Sequence, residues 1–219
     1  MKAVIKAILL DPEARNLPQA GTDAYNSYGK LREPVLRLAQ WARTFNARSK
    51  TPDAKVNFIA PFIGSNFPNG PWQVGDLSDN VTGLGQAPFR SPSVFNFYRP
   101  GYVPTQGELR NKGIPAPEFQ ICNEVTVAKY LNLMNGIIDV GRNDVVPDYS
   151  ADYELAKNAV ALVDRYALLL AANGLSASTK KIISDAVANQ ATTNDDECAK
   201  RIKATIFMIM ATPEYLIQK

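Results

Sequence analysis

Glu118 and Glu124 are two carboxylates six residues apart at the start of a helical pattern, with Gln120 and Asn123 between them. Carboxylate pairs carry general acid–base work and glycoside hydrolysis. A spacing of six does not place both on one helix face, which needs three or four. Glu118 also suits the start of a helix as a charge that favours the helix dipole. The rings of Trp72, Phe95, Phe97, Tyr98 and Tyr102 form a second candidate set, a platform on which sugar rings could stack. Phe95 and Phe97 alternate with Asn96, so an extended backbone turns both rings to one side. Tyr98, Tyr102 and Trp72 each carry a polar handle that suits a half-wet position. Arg90 and Arg99 flank these rings, where a guanidinium stacks on an aromatic face. Arg32, beside Lys30 and Glu33, has the fork that grips a carboxylate or phosphate, or that closes a structural ion pair. The candidate ligand-binding residues are therefore Trp72, Arg90, Phe97, Tyr98, Arg99, Tyr102, Glu118 and Glu124. None is assigned a catalytic role.

Composition narrows the chemistry further. The 219-residue chain contains no histidine, which removes Ser-His-Asp, Cys-His and His–metal chemistry within it. Cys122 and Cys198 are the only cysteines, too few for a structural zinc site of about four ligands. They pair only in an oxidising compartment, and two free thiols in helical patterns are the default. Gly83-Leu84-Gly85 follows no strand, so it does not read as a nucleotide loop. No metal and no cofactor is expected. The net charge is +3, divided as +6 over residues 1–117 and −3 over residues 118–219. The basic residues are scattered, which argues against nucleic acid. No apolar run approaches the roughly 20 residues that span a membrane; Ile206–Ala211 is among the longer ones. Lys2 and Lys6 precede apolar residues, but Asp11-Pro12-Glu13 stands where a signal peptide needs a small-residue cleavage site. An amphipathic helix is the better reading of that segment.

These residues need elements to position them. Residues 2–10 read as a helix with Val4, Ile5, Ala7, Ile8 and Leu9 on an apolar stripe. Residues 16–30 read as loop. Leu31–Phe45 is a helix with Leu31, Val35, Leu38, Ala42 and Phe45 facing the core, Pro34 in its first turn, and Arg32, Arg37 and Arg43 on the outer flank. Residues 46–117 hold 10 of the 15 prolines. There Val56–Phe67 suggests a short extended piece, and Asp76–Gly85 a short helix capped by Asp76 or Ser78. Between Leu84 and Pro104, Pro88, Pro92, Pro100 and Pro104 force an irregular path. Phe89, Phe95, Phe97, Tyr98 and Tyr102 supply enough apolar area to order it, and ordered irregular loops are where function concentrates. Helical patterns follow from Pro117 to Val140 with Gly141 as the stop, from Asp152 to Ala172, from Ser176 or Ser178 to Asn189, and from Asn194 to Ala211. The expectation is a mainly α protein of about six helices. It is one helical domain over residues 1–219, with 46–117 a long, loop-rich, Pro- and aromatic-rich insertion and 118–219 the helical bundle part.

Several segments in this order resemble the bacterial family known as Domain of Unknown Function 1800. They are Ala3–Arg15 (AVIKAILLDPEAR), Lys30–Arg43 (KLREPVLRLAQWAR), Leu84–Tyr102 (LGQAPFRSPSVFNFYRPGY), Ala116–Asn132 (APEFQICNEVTVAKYLN) and Ala211–Lys219 (ATPEYLIQK). The resemblance implies a mostly helical fold and an extracytoplasmic setting, periplasmic or secreted. It also implies a longer protein with a further N-terminal helical region, of which this chain is the C-terminal portion. The family brings no activity to transfer. Without a catalytic constellation, the expected function is a non-enzymatic structural or interaction module of an exported bacterial protein. It would be part of a surface or extracellular assembly, through a protein partner or self-association. The alternative is carbohydrate binding or processing by the aromatic loop with Glu118 or Glu124.

Overall fold

Apolar residues at helical spacing become the framework of the molecule, which is mainly α-helical. The structure is a computed structural model and describes residues 1–19, 21–50, 74–79 and 82–219. In chain order the elements are α1 (Lys2–Leu10), α2 (Pro12–Arg15), α3 (Asp23–Ser27), β1 (Lys30–Leu31), α4 (Pro34–Thr44), β2 (Arg48–Ser49) and α5 (Gly107–Asn111). There follow α6 (Glu124–Val140), β3 (Val145–Val146), α7 (Tyr153–Ala156), α8 (Ala159–Ala171), α9 (Ala177–Ala188), α10 (Asp195–Ala211), α11 (Pro213–Leu216) and β4 (Ile217–Gln218). Among the described residues, six α-helices run nine residues or more.

The core forms where α10 meets α6, α8 and α9. Ile202, Ile206, Ile209 and Met210 of α10 are fully buried there with Met134, Ile138, Leu162 and Leu170. Helix α4 closes one side, and Phe45 just beyond it sets its ring edge-on against Tyr149 at 5.4 Å and Tyr166 at 5.2 Å. Trp41 Nε1 donates to the Tyr149 hydroxyl at 3.2 Å, and that hydroxyl donates to the Ile138 carbonyl at 2.9 Å. Two short antiparallel ladders fix the flanks of α4. β1 pairs with β4, Lys30 opposite Gln218, and β2 pairs with β3, Arg48 opposite Val146.

The termini of the long helices follow from side-chain chemistry. Asn194 Oδ1 accepts the Glu197 N–H at 3.0 Å, while Glu197 Oε2 accepts the Thr193 N–H at 2.7 Å. These bonds satisfy donors that a helix start leaves orphaned. Helix α6 begins at Glu124, not at Pro117. Asn123 Oδ1 accepts the Val125 and Thr126 N–H groups at 3.1 Å each, and Thr126 Oγ1 accepts the Asn123 N–H at 2.8 Å. This reciprocal cap makes a fresh start. Pro117–Gln120 is a separate 3-10 turn, so Glu118 and Glu124 do not share a helix. Gly141 ends α6 at φ 81°. The helix expected over Asp152–Ala172 breaks at Lys157-Asn158, because the Asn158 side chain caps α8 by accepting the Ala161 N–H at 3.1 Å.

Other expectations are corrected as well. Arg37 is buried, with 2% of its surface exposed, rather than on the outer flank of α4. Its Nε donates to the Arg32 carbonyl at 2.9 Å and its guanidinium lies over the Tyr130 ring at 4.6 Å, which gives the charge a polar and a π-face contact indoors. The described part of Asp76–Gly85 is turns instead of helix. Asp76 Oδ1 accepts the Ser78 N–H at 2.8 Å and Asp79 Oδ1 accepts the Thr82 N–H at 2.6 Å, local bonds that compete with a helix. α3 and α5 are short helices where loop was expected. The extended piece suggested over Val56–Phe67 lies outside the described residues. Helix α1 forms as expected but buries none of its residues; Val4, Ile5, Ile8, Leu9 and Leu10 face outward. Cys122, half-buried just before α6, and Cys198, buried in α10, are both free thiols. Among the described residues no helix is long and apolar enough to cross a membrane.

Candidate functional site

The aromatic loop is a chain of tight turns. Backbone N–H groups of Arg90, Asn96, Tyr98 and Tyr102 donate three residues back to Ala87, Ser93, Phe95 and Arg99, at 3.3, 3.1, 3.3 and 3.0 Å. Two of these turns have the same layout. Pro100-Gly101 has Pro second and a positive φ of 75° third, and Pro88-Phe89 has Pro second and φ 60° third. That is the pattern of a type II turn, whose third position calls for glycine or asparagine. Gly101 satisfies the demand. Phe89 does not, and a side chain held at positive φ costs about 1 kcal/mol or more. The Phe89 ring is also fully outside, with relative exposure of 105%, and further along the same loop Val94 is exposed at 95% and Phe95 at 56%. The loop therefore presents exposed apolar side chains, the first of them on a backbone that would be more stable without its ring.

The inner side of the same loop is anchored. Phe97 is 8% exposed and belongs to the interior, not to an open platform. Gln86 is buried and ties three segments together. Its Oε1 accepts the Val35 N–H at 3.1 Å, supplying from outside the cap that α4 lacks at its own start. Its Nε2 donates to Glu33 Oε2 at 2.5 Å and to the Tyr98 hydroxyl at 3.1 Å. Burial, and then the neighbouring Glu33 carboxylate, push the Tyr98 phenol far above its ordinary pKa. It therefore stays neutral at physiological pH.

Tyr98 and Glu118 share a pocket of about 240 Å³ with Lys30, Arg32 and Glu33. It sits between β1, the start of α4, the loop and the 3-10 turn at Pro117. Arg32 is committed on one side, with its Nη1 donating to the Leu170 carbonyl at 3.2 Å and to Gln40 Oε1, and its guanidinium over the Tyr215 ring at 4.5 Å. Its buried Nε has no hydrogen-bond partner among the described residues. Two carboxylates, two cations and a phenol offer hydrogen bonds of both senses to a small polar molecule. Among the described residues no group of three or more acidic or thiol side chains is placed to hold a metal ion.

A second pocket, about 720 Å³, opens between α4, the turn at Asp76–Leu77 and the hairpin after α6. Its described lining is mostly apolar, including Val35, Leu38, Ala42 and Val145. Arg90 and Asp76 pair at 3.5 Å beside its mouth. The Ser78 hydroxyl and N–H, and more weakly Arg90, hold the Asp76 carboxyl below its ordinary pKa.

The expected site residues thus divide. Tyr98 and Glu118 come together in the smaller pocket, and Arg90 lines the larger one. Arg99 is exposed, with its N–H donating to Gln120 Oε1 at 2.7 Å. Tyr102 is half-buried and its carbonyl accepts the Ala116 N–H at 2.7 Å. Glu124 is exposed in the first turn of α6, where its charge favours the dipole. Trp72 lies outside the described residues. Sequence reading did not single out Phe89 or Val94 as site residues, nor Gln86 as the anchor. For Phe89 a signal existed in the parallel between Pro88-Phe89 and Pro100-Gly101. For Gln86 there was none, because its partners are remote in sequence.

No curated protein and no solved structure matches the chain. The segments from Ala3 to Lys219 that suggested a family lie in one helical framework, and a family match runs through it from residue 1 to residue 217. The match is nearly chain-wide, so the chain belongs to the family described as protein of unknown function, DUF1800.

Proposed function

We propose that the chain is a non-enzymatic interaction module whose docking element is the outward tip of the aromatic loop. The observation that carries this reading is Phe89, placed at φ 60° with its ring wholly exposed. Folding disfavours such a residue on both counts. Aromatic residues are the usual anchors of protein contacts, and this one is held outward at a cost to its own backbone. The wider setting in this proposal is an exported bacterial protein within a surface or extracellular assembly. The family resemblance, with its longer members and export signals, supports it. A photoreactive phenyl ketone amino acid placed at position 89 tests the docking element in extracts and culture fluid of the source cell. Discrete protein adducts are expected from position 89 that excess unlabelled wild-type chain competes away. Position 160 on α8, 61% exposed as Val160, should give only diffuse labelling. Equal labelling from both positions would remove the reading.

A second reading, carbohydrate binding, is favoured by the meeting of Tyr98 and Glu118 in one pocket with Arg32 and Glu33. Carboxylates, a guanidinium and a phenol suit the hydroxyls of a sugar. On a glycan array the wild-type chain would then bind a defined set of sugars, and Glu118→Gln would lose at least about tenfold in affinity. Silence of the wild-type chain across the array eliminates this alternative.

A further inference from the structure

We propose that the chain pairs with a second copy of itself across the aromatic loop, each copy seating its Phe89 ring in the larger apolar pocket of the other. This rests on Phe89 being a docking element and names the surface it docks on. The pocket measures about 720 Å³ and its described walls include Val35, Leu38, Ala39, Ala42 and Val145. A phenylalanine ring and its neighbours fit that volume, and burying such a residue removes about 150–250 Å² from water.

Position is the stronger argument. Pro88 and Arg90, the chain neighbours of Phe89, themselves line the pocket. Knob and socket therefore stand side by side on one face of the molecule. A two-fold contact requires a patch that complements itself, so that each copy gives what the other receives. An adjacent knob and socket meet that condition, because one rotation seats both knobs at once. Charge agrees. Beside the pocket mouth stand one acid and one base, Asp76 and Arg90, 3.5 Å apart and both solvent-accessible. A two-fold axis passing between them would set each against the opposite charge of the second copy. Val94 and Phe95, further along the same loop, are exposed as well.

Sedimentation velocity over a wide concentration range tests the pairing. The wild-type mass is expected to rise from 24.0 kDa toward twice that value. Phe89→Asn should weaken association more than about tenfold, since an aromatic anchor is lost twice per dimer. At dilution where the wild type is monomeric, the same variant should melt no lower than wild type, because asparagine is favoured at the third position of the turn. Ala39→Arg, which fills the socket from α4 and leaves the knob residue itself unchanged, should also abolish pairing. An equimolar mixture of the two variants should recover part of it through one intact knob and socket. A wild-type chain that stays at 24.0 kDa throughout, or a dimer that withstands Phe89→Asn, overturns the proposal. Photo-adducts from position 89 with other proteins but none at twice the chain mass would overturn self-pairing and leave the docking element standing. No adduct of any kind removes both.

Discussion

Gly141→Ala is expected to lower the unfolding free energy by about 3 kcal/mol or more, with a fall in melting temperature of roughly 6–12 °C for a chain of this size. Gly141 has φ 81° and ψ −168°, a backbone region open almost only to glycine. Space is the second obstacle. A Cβ on this residue would overlap the Val145 carbonyl oxygen and lie 2.9 Å from Val146 Cα. Neither atom can yield cheaply. The Val145 carbonyl accepts the Arg142 N–H at 2.8 Å, and Val145 and Val146 form β3, paired with Ser49 and Arg48. The Gly141 N–H meanwhile closes α6 on the Ile137 carbonyl at 2.8 Å. Relief would have to unseat either the end of α6 or the ladder beyond α4. Gly136→Ala is the internal control. It lies within α6, and a Cβ there meets nothing within 4 Å. Alanine at that position should raise stability by up to about 1 kcal/mol. Urea unfolding followed by circular dichroism reads both variants, and equal stability of the two would refute the strain argument.

Arg201→Met is the other substitution with a large expected effect, a loss of about 3 kcal/mol. The last carbonyls of a helix have no partner within it. Here one guanidinium on α10 serves two such ends. Nη1 donates to Ala156, the last residue of α7, and Nη2 to Ala188, the last residue of α9, both at 2.9 Å. Nη2 also donates to the Gln190 carbonyl. The side chain is 5% exposed, so these bonds form largely out of water, where charge-assisted hydrogen bonds are strong and an abandoned carbonyl is costly. Methionine keeps the bulk and removes every donor. Arg201→Lys retains a charge but cannot span two carbonyls as a fork can, so it should fall between methionine and wild type. A methionine variant within about 0.5 kcal/mol of wild type in the same urea titration would show that the fork is dispensable.

Where local chemistry decided the structure, the sequence could be read. Asn194 with Glu197 marks the start of α10, Pro34 the first turn of α4, and Gly141 the stop of α6, because caps and breakers act within a few residues. Apolar spacing alone misled at Asn158. Leu155, Ala159 and Leu162 continue a helical stripe straight through a side-chain cap that restarts the helix. The spacing of α1 was legible too, but spacing records which face is apolar and not whether anything covers it. The site was harder to read. Glu118 and Tyr98 were picked for their chemistry, while their company in the pocket, Lys30, Arg32 and Glu33, comes from a segment distant in sequence. Gln86 joins Glu33, Val35 and Tyr98 with no periodicity to announce it. Arg37 and Arg201 show the same limit. A buried arginine differs from a surface one only by what surrounds it, and Tyr130, Ala156 and Ala188 are all far away in sequence.

The two ladders at the flanks of α4 also imply an order of assembly. Helices α6 to α10 follow one another with short connections, so their contacts close small loops. Helix α4 joins them through partners far along the chain, by the flanking ladders of Lys30 with Gln218 and Arg48 with Val146 and by its own Trp41 and Arg37 on Tyr149 and Tyr130. Such distant closures are slow to form, because the ends of a long loop must find each other before any contact rewards them. The bundle is then a template that exists first, and α4 is a late arrival. Its two-residue clasps leave it the part of the core whose amide protons should open to solvent before global unfolding.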